Sequence, residues 1–233
     1  MARIAPPDRL ARLLECATRV FIAQGYRRTQ MDDVAREMGV AKGTLYRYVE
    51  SKEALFDAVV RHLDDPPKGP PHRPLRAPAA GATLERVRQR MAREPILRDL
   101  AAIVDRPARG AVRVEIESIV RMIYATLGRN RTAIKLADRC AADYPELAAV
   151  WYRGGRLGVL AVLIRYLESR VRAGRIPAPP DVAIAARIVL ETIAFWAVHR
   201  HWDPAPQPMN DRAAEDSVVR FVVAALLAGK DCA

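Results

Sequence analysis

The chain has few of the residue types on which catalytic and metal chemistry depend, and none in a useful spacing. Its three cysteines, Cys16, Cys140 and Cys232, are far apart and odd in number. That pattern suits a reducing cytosol better than a disulfide framework, so a cytoplasmic location is expected. The four histidines have no ligand spacing with the cysteines, which argues against a metal site. No G-x-S-x-G or H-E-x-x-H motif occurs. Glu115 and Glu117 stand two apart and point to different sides of a helix, so they form no acid/base pair. The GGRLG run at 154–158 follows no strand and is not a phosphate loop. No cofactor is expected. The opening MARIAPPDRL has no apolar run, which excludes a signal peptide. No stretch reaches the roughly 18 uncharged apolar residues of a membrane helix. The fullest candidates are interrupted by Arg165 and Glu191, so no membrane partner is expected. Strand-like alternation is scarce. With 51% hydrophobic residues and only 12 glycines, the composition predicts a packed, all-α protein.

Positive charge is abundant but unevenly placed. The formal net charge is +11, yet residues 1–65 carry 11 Lys/Arg against 10 Asp/Glu. The excess therefore lies downstream, where it reads as a solubilising, arginine-rich helical surface. Any case for nucleic acid rests on where donors stand, not on bulk charge.

Residues 29–48, TQMDDVAREMGVAKGTLYRY, place donors in this way. Thr29 with Asp32 fits the S/T-x-x-D/E helix start. Met31, Val34, Ala35 and Met38 recur at helical spacing, and Gly39 follows as a left-handed stop. A second short helix begins near Ala41 or Lys42, anchored by Leu45 and studded with Lys42, Thr44, Tyr46, Arg47 and Tyr48. A short helix with one buried and one donor-rich edge suits the DNA major groove. The plain alternative is a solvated helix face. Upstream, Leu10, Leu13, Leu14, Ala17, Val20 and Phe21 form an apolar stripe, with Asp8 as N-cap and Gly25 closing the helix. Downstream, Ser51 caps a fourth helix with an inner face of Leu55, Ala58, Val59, His62 and Leu63.

The segment from about residue 10 to 63 resembles the DNA-binding head of the TetR family of transcriptional regulators. The resemblance is carried by Ala17, Phe21, Gly25-Tyr26, Thr29, Val34-Ala35, Gly39-Val40, Lys42-Gly43-Thr44-Leu45-Tyr46 and Ser51-Lys52-Glu53-Ala54-Leu55. Ala41, Val49 and Met38 stand where the family usually has Ser, Phe and Ala; Val49 is expected to thin the packing under the recognition helix. Candidate DNA contacts are Thr29, Gln30, Lys42, Gly43, Thr44, Tyr46, Arg47, Tyr48 and Lys52. The resemblance implies a backbone contact for Tyr46 and a phosphate near Lys52. Thr29 and Gln30 are expected to offer amides and a hydroxyl to another phosphate, and Gly43 to keep the backbone bare.

Residues 66–80 hold six of the 17 prolines and read as an extended linker. It is longer than the family's usual connection, and is expected to loosen the coupling of head to body. The expected partition is a helix-turn-helix domain over 1–65, a linker over 66–82, and a helical ligand-binding and dimerisation body over 83–233. In the body, a long helix is expected from about Pro145 to Ala173, stopped by Gly174, with Gly154, Gly155 and Gly158 bending it or admitting a neighbour. The segments 181–200 and 211–228 are apolar around most of their girth and need cover on most sides. A second subunit is the natural cover, and the resemblance implies a homodimer through these helices; interior helices of a monomer are the alternative. Met122, Tyr124, Trp151, Tyr152, Phe195, Trp196 and His199 are candidates to line an effector cavity, or else ordinary core. The expected function is a ligand-responsive repressor that binds a palindromic double-stranded operator as a dimer, with an unknown small-molecule effector. A helical enzyme, or an adaptor working through the body, is the alternative.

Overall fold

The computed structural model describes residues 6–63, 65, 67, 73–104, 110–205 and 208–228. The first helix begins at Pro6, so Asp8 lies within it and not at the expected N-cap position; Cys232 lies outside the described residues. Among the described residues the fold is all-α, as the composition implies, with one isolated parallel bridge between Val49 and Leu75. The helices are α1 (Pro6–Gln24), α2 (Met31–Met38), α3 (Lys42–Leu45), α4 (Lys52–Arg61), α5 (Ala82–Arg93), α6 (Ile96–Val104), α7 (Val112–Arg129), α8 (Arg131–Ala141), α9 (Pro145–Trp151), α10 (Leu157–Arg172), α11 (Val182–Ala197) and α12 (Asp211–Leu227).

Packing divides the chain into two compact units. One is Met1–Met91 with Lys135–Gly154, the other Ala92–Ile134 with Gly155–Ala233. This differs from a simple cut after the linker, because α5, most of α8 and α9 pack with the amino-terminal helices. The reason lies in polar contacts that no periodicity shows. Asp57 of α4, 1% exposed, accepts from Thr83 Oγ1 at 2.9 Å and pairs with Arg86 at 3.1 Å and Arg61 at 2.5 Å. A buried carboxylate needs such partners to stay in a core. Arg139 of α8 donates to the carbonyls of Ile22 at 3.0 Å and Ala23 at 2.9 Å, the open end of α1.

The first unit's core is built by α1, α2 and α4 around fully buried Leu13, Phe21, Val34 and Leu55. Phe21 meets Phe56 edge-on at 5.1 Å. Helix α4 ends at Arg61, so His62 and Leu63 are half-buried past its end, not on its inner face. Gly25 closes α1 at φ 86 as expected. Cys140 is buried against Phe21, and burial, aided by Asp143, pushes its thiol up to about 12.

In the second unit α7 packs on α11 and α12, and α10 on α6 and α11. The only fully buried guanidinium in its core, among the described residues, is Arg170 at 1% exposure; it pairs with Glu115 at 2.7 Å and donates to the Ile103 carbonyl. The stretch Pro145–Arg172 meets the length and composition of a membrane-crossing helix, with mean hydropathy 1.4, although Arg165 interrupts its apolar run. One such helix is weak grounds for a span, and its Arg170 charge is satisfied by protein. The three glycines are explained by neighbours and a local change of pitch. Tyr152–Arg156 forms a π-turn. A Cβ on Gly154 would lie 3.0 Å from Met91 Cε, and one on Gly158 3.3 Å from Leu97 Cδ1.

Two glycines provide a matched test of the α1 junction. Gly25 and Gly81 both have positive φ, but a Cβ at Gly25 lies 2.7 Å from Asp143 Oδ2 whereas one at Gly81 meets nothing within 4 Å. Gly81→Ala should cost about 1 kcal/mol from backbone strain alone, and Gly25→Ala at least about 1 kcal/mol more. Urea midpoints measure both; equal losses would remove the special role given to Asp143 here.

Candidate nucleic-acid interface

The segment expected to read DNA is built from a tight corner. Helix α2 ends at Gly39, φ 72, with Val40 N donating to Ala35 O at 3.0 Å. Ala41 then takes an extended conformation and, having no side-chain cap, starts a helix of one turn, Lys42–Leu45. The chain continues in tight turns, with Tyr48 N on Leu45 O at 2.9 Å. Leu45 is wholly buried and Val49 fully buried behind it, so the segment is pinned by its apolar side. Lys42, Gly43, Tyr46 and Arg47 are exposed, while Thr44 and Tyr48 are half-buried. A Cβ on Gly43 would meet nothing within 4 Å, which matches its expected bare surface.

The start of α2 differs by one residue from the expected Thr29/Asp32 pairing. The N-cap is Gln30, whose amide donates to Asp33 Oδ2 at 3.0 Å. Thr29 is 1% exposed and its hydroxyl donates to the Gly25 carbonyl at 2.6 Å. That hydroxyl is spent inside the protein and is not free for a phosphate. Gln30 remains exposed at the helix start. Lys52 is likewise engaged. Its ammonium donates to the carbonyls of Tyr26 at 3.1 Å and Arg27 at 3.2 Å, and lies 4.8 Å from the Tyr26 ring centroid. Its first role is to hold the α1–α2 turn. Lys42 pairs with Asp32 at 3.2 Å, both about half exposed, a contact weak enough in water to be exchanged for a phosphate.

The α1–α2 turn also carries residues that sequence reasoning missed. Asp143 accepts from the amides of Tyr26 at 3.1 Å and Arg27 at 2.9 Å. Tyr144 stacks on Tyr26 at 4.9 Å, and Phe56 meets it edge-on at 4.9 Å. Burial, then the Glu53 charge, raises the Tyr26 phenol far above its ordinary value. A motif-based reading has no signal for Asp143, which is 117 residues from its partner.

The effector candidates are divided between the two units. Trp151 and Tyr152 belong to the first unit; Met122, Tyr124, Phe195, Trp196 and His199 belong to the second. Trp151 Nε1 donates to Asp138 at 2.6 Å, and Tyr124 OH donates to the Trp196 carbonyl at 3.3 Å. Trp196 lines a cleft of about 710 Å³ between α11 and α12, with Thr192, Met209, Asn210, Ser217 and Phe221. Phe195, 44% exposed, stands edge-on to Trp196 at 5.7 Å.

Comparison with known proteins agrees with this architecture. Residues 13–59 match the family model of the bacterial regulatory proteins, tetR family. The uncharacterized HTH-type transcriptional regulator YhgD of Bacillus subtilis is 46% identical over 56 residues, 24% of this chain and 29% of that protein. The match thus spans less than a third of that relative's length. The HTH-type transcriptional repressor KstR of Rhodococcus jostii is 28% identical over 194 residues, 81% of this chain and 84% of that protein. The structure of the ketosteroid transcriptional regulator KstR2 of Mycobacterium tuberculosis has the same fold, with a TM-score of 0.56 at 18% identity, covering 97% of this chain and 99% of that one.

Lys52→Ala removes two carbonyl contacts and a cation–π contact, and should lower stability by about 1–3 kcal/mol, whereas exposed Arg47→Ala should stay within about 0.5 kcal/mol. Thermal unfolding of both variants checks this. A Lys52 variant as stable as wild type would return Lys52 to the phosphate role.

Proposed function

We propose that this chain, whose head belongs to the TetR family of bacterial regulatory proteins, is a ligand-responsive transcriptional regulator that represses by binding a palindromic duplex operator as a homodimer. The observation that carries the reading is the divided recognition segment: Leu45 wholly buried, with Lys42, Gly43, Tyr46 and Arg47 turned to solvent. Lys42 and Arg47 reach base edges or phosphates, with Thr44 beside them. Tyr46 and Tyr48 contact the backbone, and the exposed Gln30 side chain meets a phosphate at the start of α2. Residues 1–65 do the binding and the region from 83 onward senses and dimerises.

Dimerisation is supported by apolar side chains left in water on α11 and α12: Ile184 at 60%, Ile188 at 57%, Phe195 at 44% and Phe221 at 62% exposure. Large apolar side chains left in water on both helices call for cover. Two heads so joined would enter successive major grooves, about 34–36 Å apart along one side of DNA. The Trp196 cleft opens beside Phe221, so an occupant would meet the face that a second copy covers. An effector acts only if it binds the DNA-competent and incompetent arrangements unequally. The relatives' names as regulators and the repressor KstR favour this over an enzyme or adaptor.

Gel shifts with the chain's own upstream DNA test the interface. Lys42→Ala with Tyr46→Ala should weaken binding by about 1–3 kcal/mol, more than tenfold toward the upper end; binding equal to wild type would refute it. For the dimer, Ile188→Glu with Phe221→Glu should sediment as the 25.9 kDa monomer while wild type does not. A wild-type monomer at micromolar concentration would overturn the dimer.

A further inference from the structure

The proline-rich segment after α4 is not a loose tether where it is described. Leu75 N donates to Tyr48 O at 2.7 Å, Glu50 N donates to Leu75 O at 3.0 Å, and Ala77 N donates to Glu50 Oε1 at 2.7 Å. Leu75 thus lies beside Val49 in an isolated parallel bridge, at the end of the recognition segment. Bridged backbones sit about 4.8 Å apart, so the Leu75 backbone lies about that far from Val49. Pro74 and Pro78 restrict the chain on both sides and lower the entropy lost in holding it there.

The pinned segment carries two cations, Arg73 and Arg76, both exposed. Arg19, Arg36, Arg61 and Arg86 of the same unit each pair with a carboxylate. Among the described residues Arg73 and Arg76 have no such partner. The carboxylate bonded to the stretch, Glu50, accepts from the Ala77 amide. Two exposed guanidiniums, on a backbone bonded to the residues that end the recognition segment, have the chemistry of phosphate recognition.

We propose that residues 73–77 are a second DNA-contacting arm, which sets Arg73 and Arg76 against backbone phosphates flanking the bases met by the recognition segment. The proposal rests on the reading that the head binds duplex DNA. The arm adds affinity without reading sequence, because phosphates carry none. It also compensates for a head whose own charge is nearly balanced.

The test is titration of wild type and variants with a fluorescent mixed-sequence duplex of about three helical turns, between about 50 and 200 mM salt. Arg73→Ala/Arg76→Ala should bind more weakly and flatten the slope of log K against log salt by about 0.9 for each phosphate contact removed. Arg113→Ala/Arg172→Ala removes the same charge from exposed sites elsewhere and should leave the slope unchanged. Leu75→Pro keeps both arginines but deletes the amide bonded to Tyr48, and should also flatten the slope. An arm variant with the slope and affinity of the Arg113/Arg172 control would overturn the proposal, as would a Leu75→Pro protein that binds like wild type. If those variants match wild type while Lys42→Ala/Arg47→Ala loses binding, the arm falls and the DNA reading stands. If wild type binds no duplex at the lowest salt, both fall.

Discussion

The geometry of the head depends on how the carboxyl end of α1 is closed. A helix end leaves carbonyls without partners, and the turn that follows leaves amides without them. Two side chains of α8 and the loop after it answer both needs. Arg139 takes the carbonyls of Ile22 and Ala23, and Asp143 takes the amides of Tyr26 and Arg27. The carboxylate comes so close that a Cβ at position 25 would displace it, and φ there is in any case positive. From that fixed turn the rest follows in sequence. Thr29 bonds back to Gly25, Gln30 starts α2, Gly39 ends it, and the recognition segment is presented. Lys52 and the stacked Tyr26, Phe56 and Tyr144 close the turn from the other side.

The electrostatics follow the same economy. The head is nearly neutral overall, and many of its cations pair internally or with the backbone: Lys42 with Asp32, Arg19 with Glu37, Lys52 with carbonyls. Exposed pairs contribute little to stability, so they are easily exchanged. A protein built this way discriminates less by attracting polyanions at a distance than by presenting donors in a set arrangement at contact.

Much of this was legible in sequence where the signal is local. Helical periodicity, the glycines at 25 and 39, the Ser51 cap and the lone apolar anchor Leu45 are statements about neighbours a few residues apart, and the structure has them where expected. The shift of the α2 cap from Thr29 to Gln30 arose because Thr29 has a competing partner, Gly25, that outranks its role as a cap. The linker read as loose because proline signals extension but not what the extended chain will pair with; its partner, Tyr48–Glu50, is fixed only when α3 is in place. The aromatic effector candidates share a chemistry but are divided between two units, because position along a helix does not say which unit a helix joins.

Sequence by itself determined the helical class, the helix-turn-helix corner, the donor set of the recognition segment and the two apolar carboxyl-terminal helices, because each depends on spacing within one or two turns. Only the tertiary structure decided which donors are spent internally, that α5, most of α8 and α9 pack with the head, and that Leu75 bonds to the end of the recognition segment. Those outcomes depend on pairings such as Asp143 with Tyr26 and Asp57 with Thr83 and Arg86. A buried or helix-terminal polar group must find some partner, and the chain's fold, not its local pattern, determines which one is near.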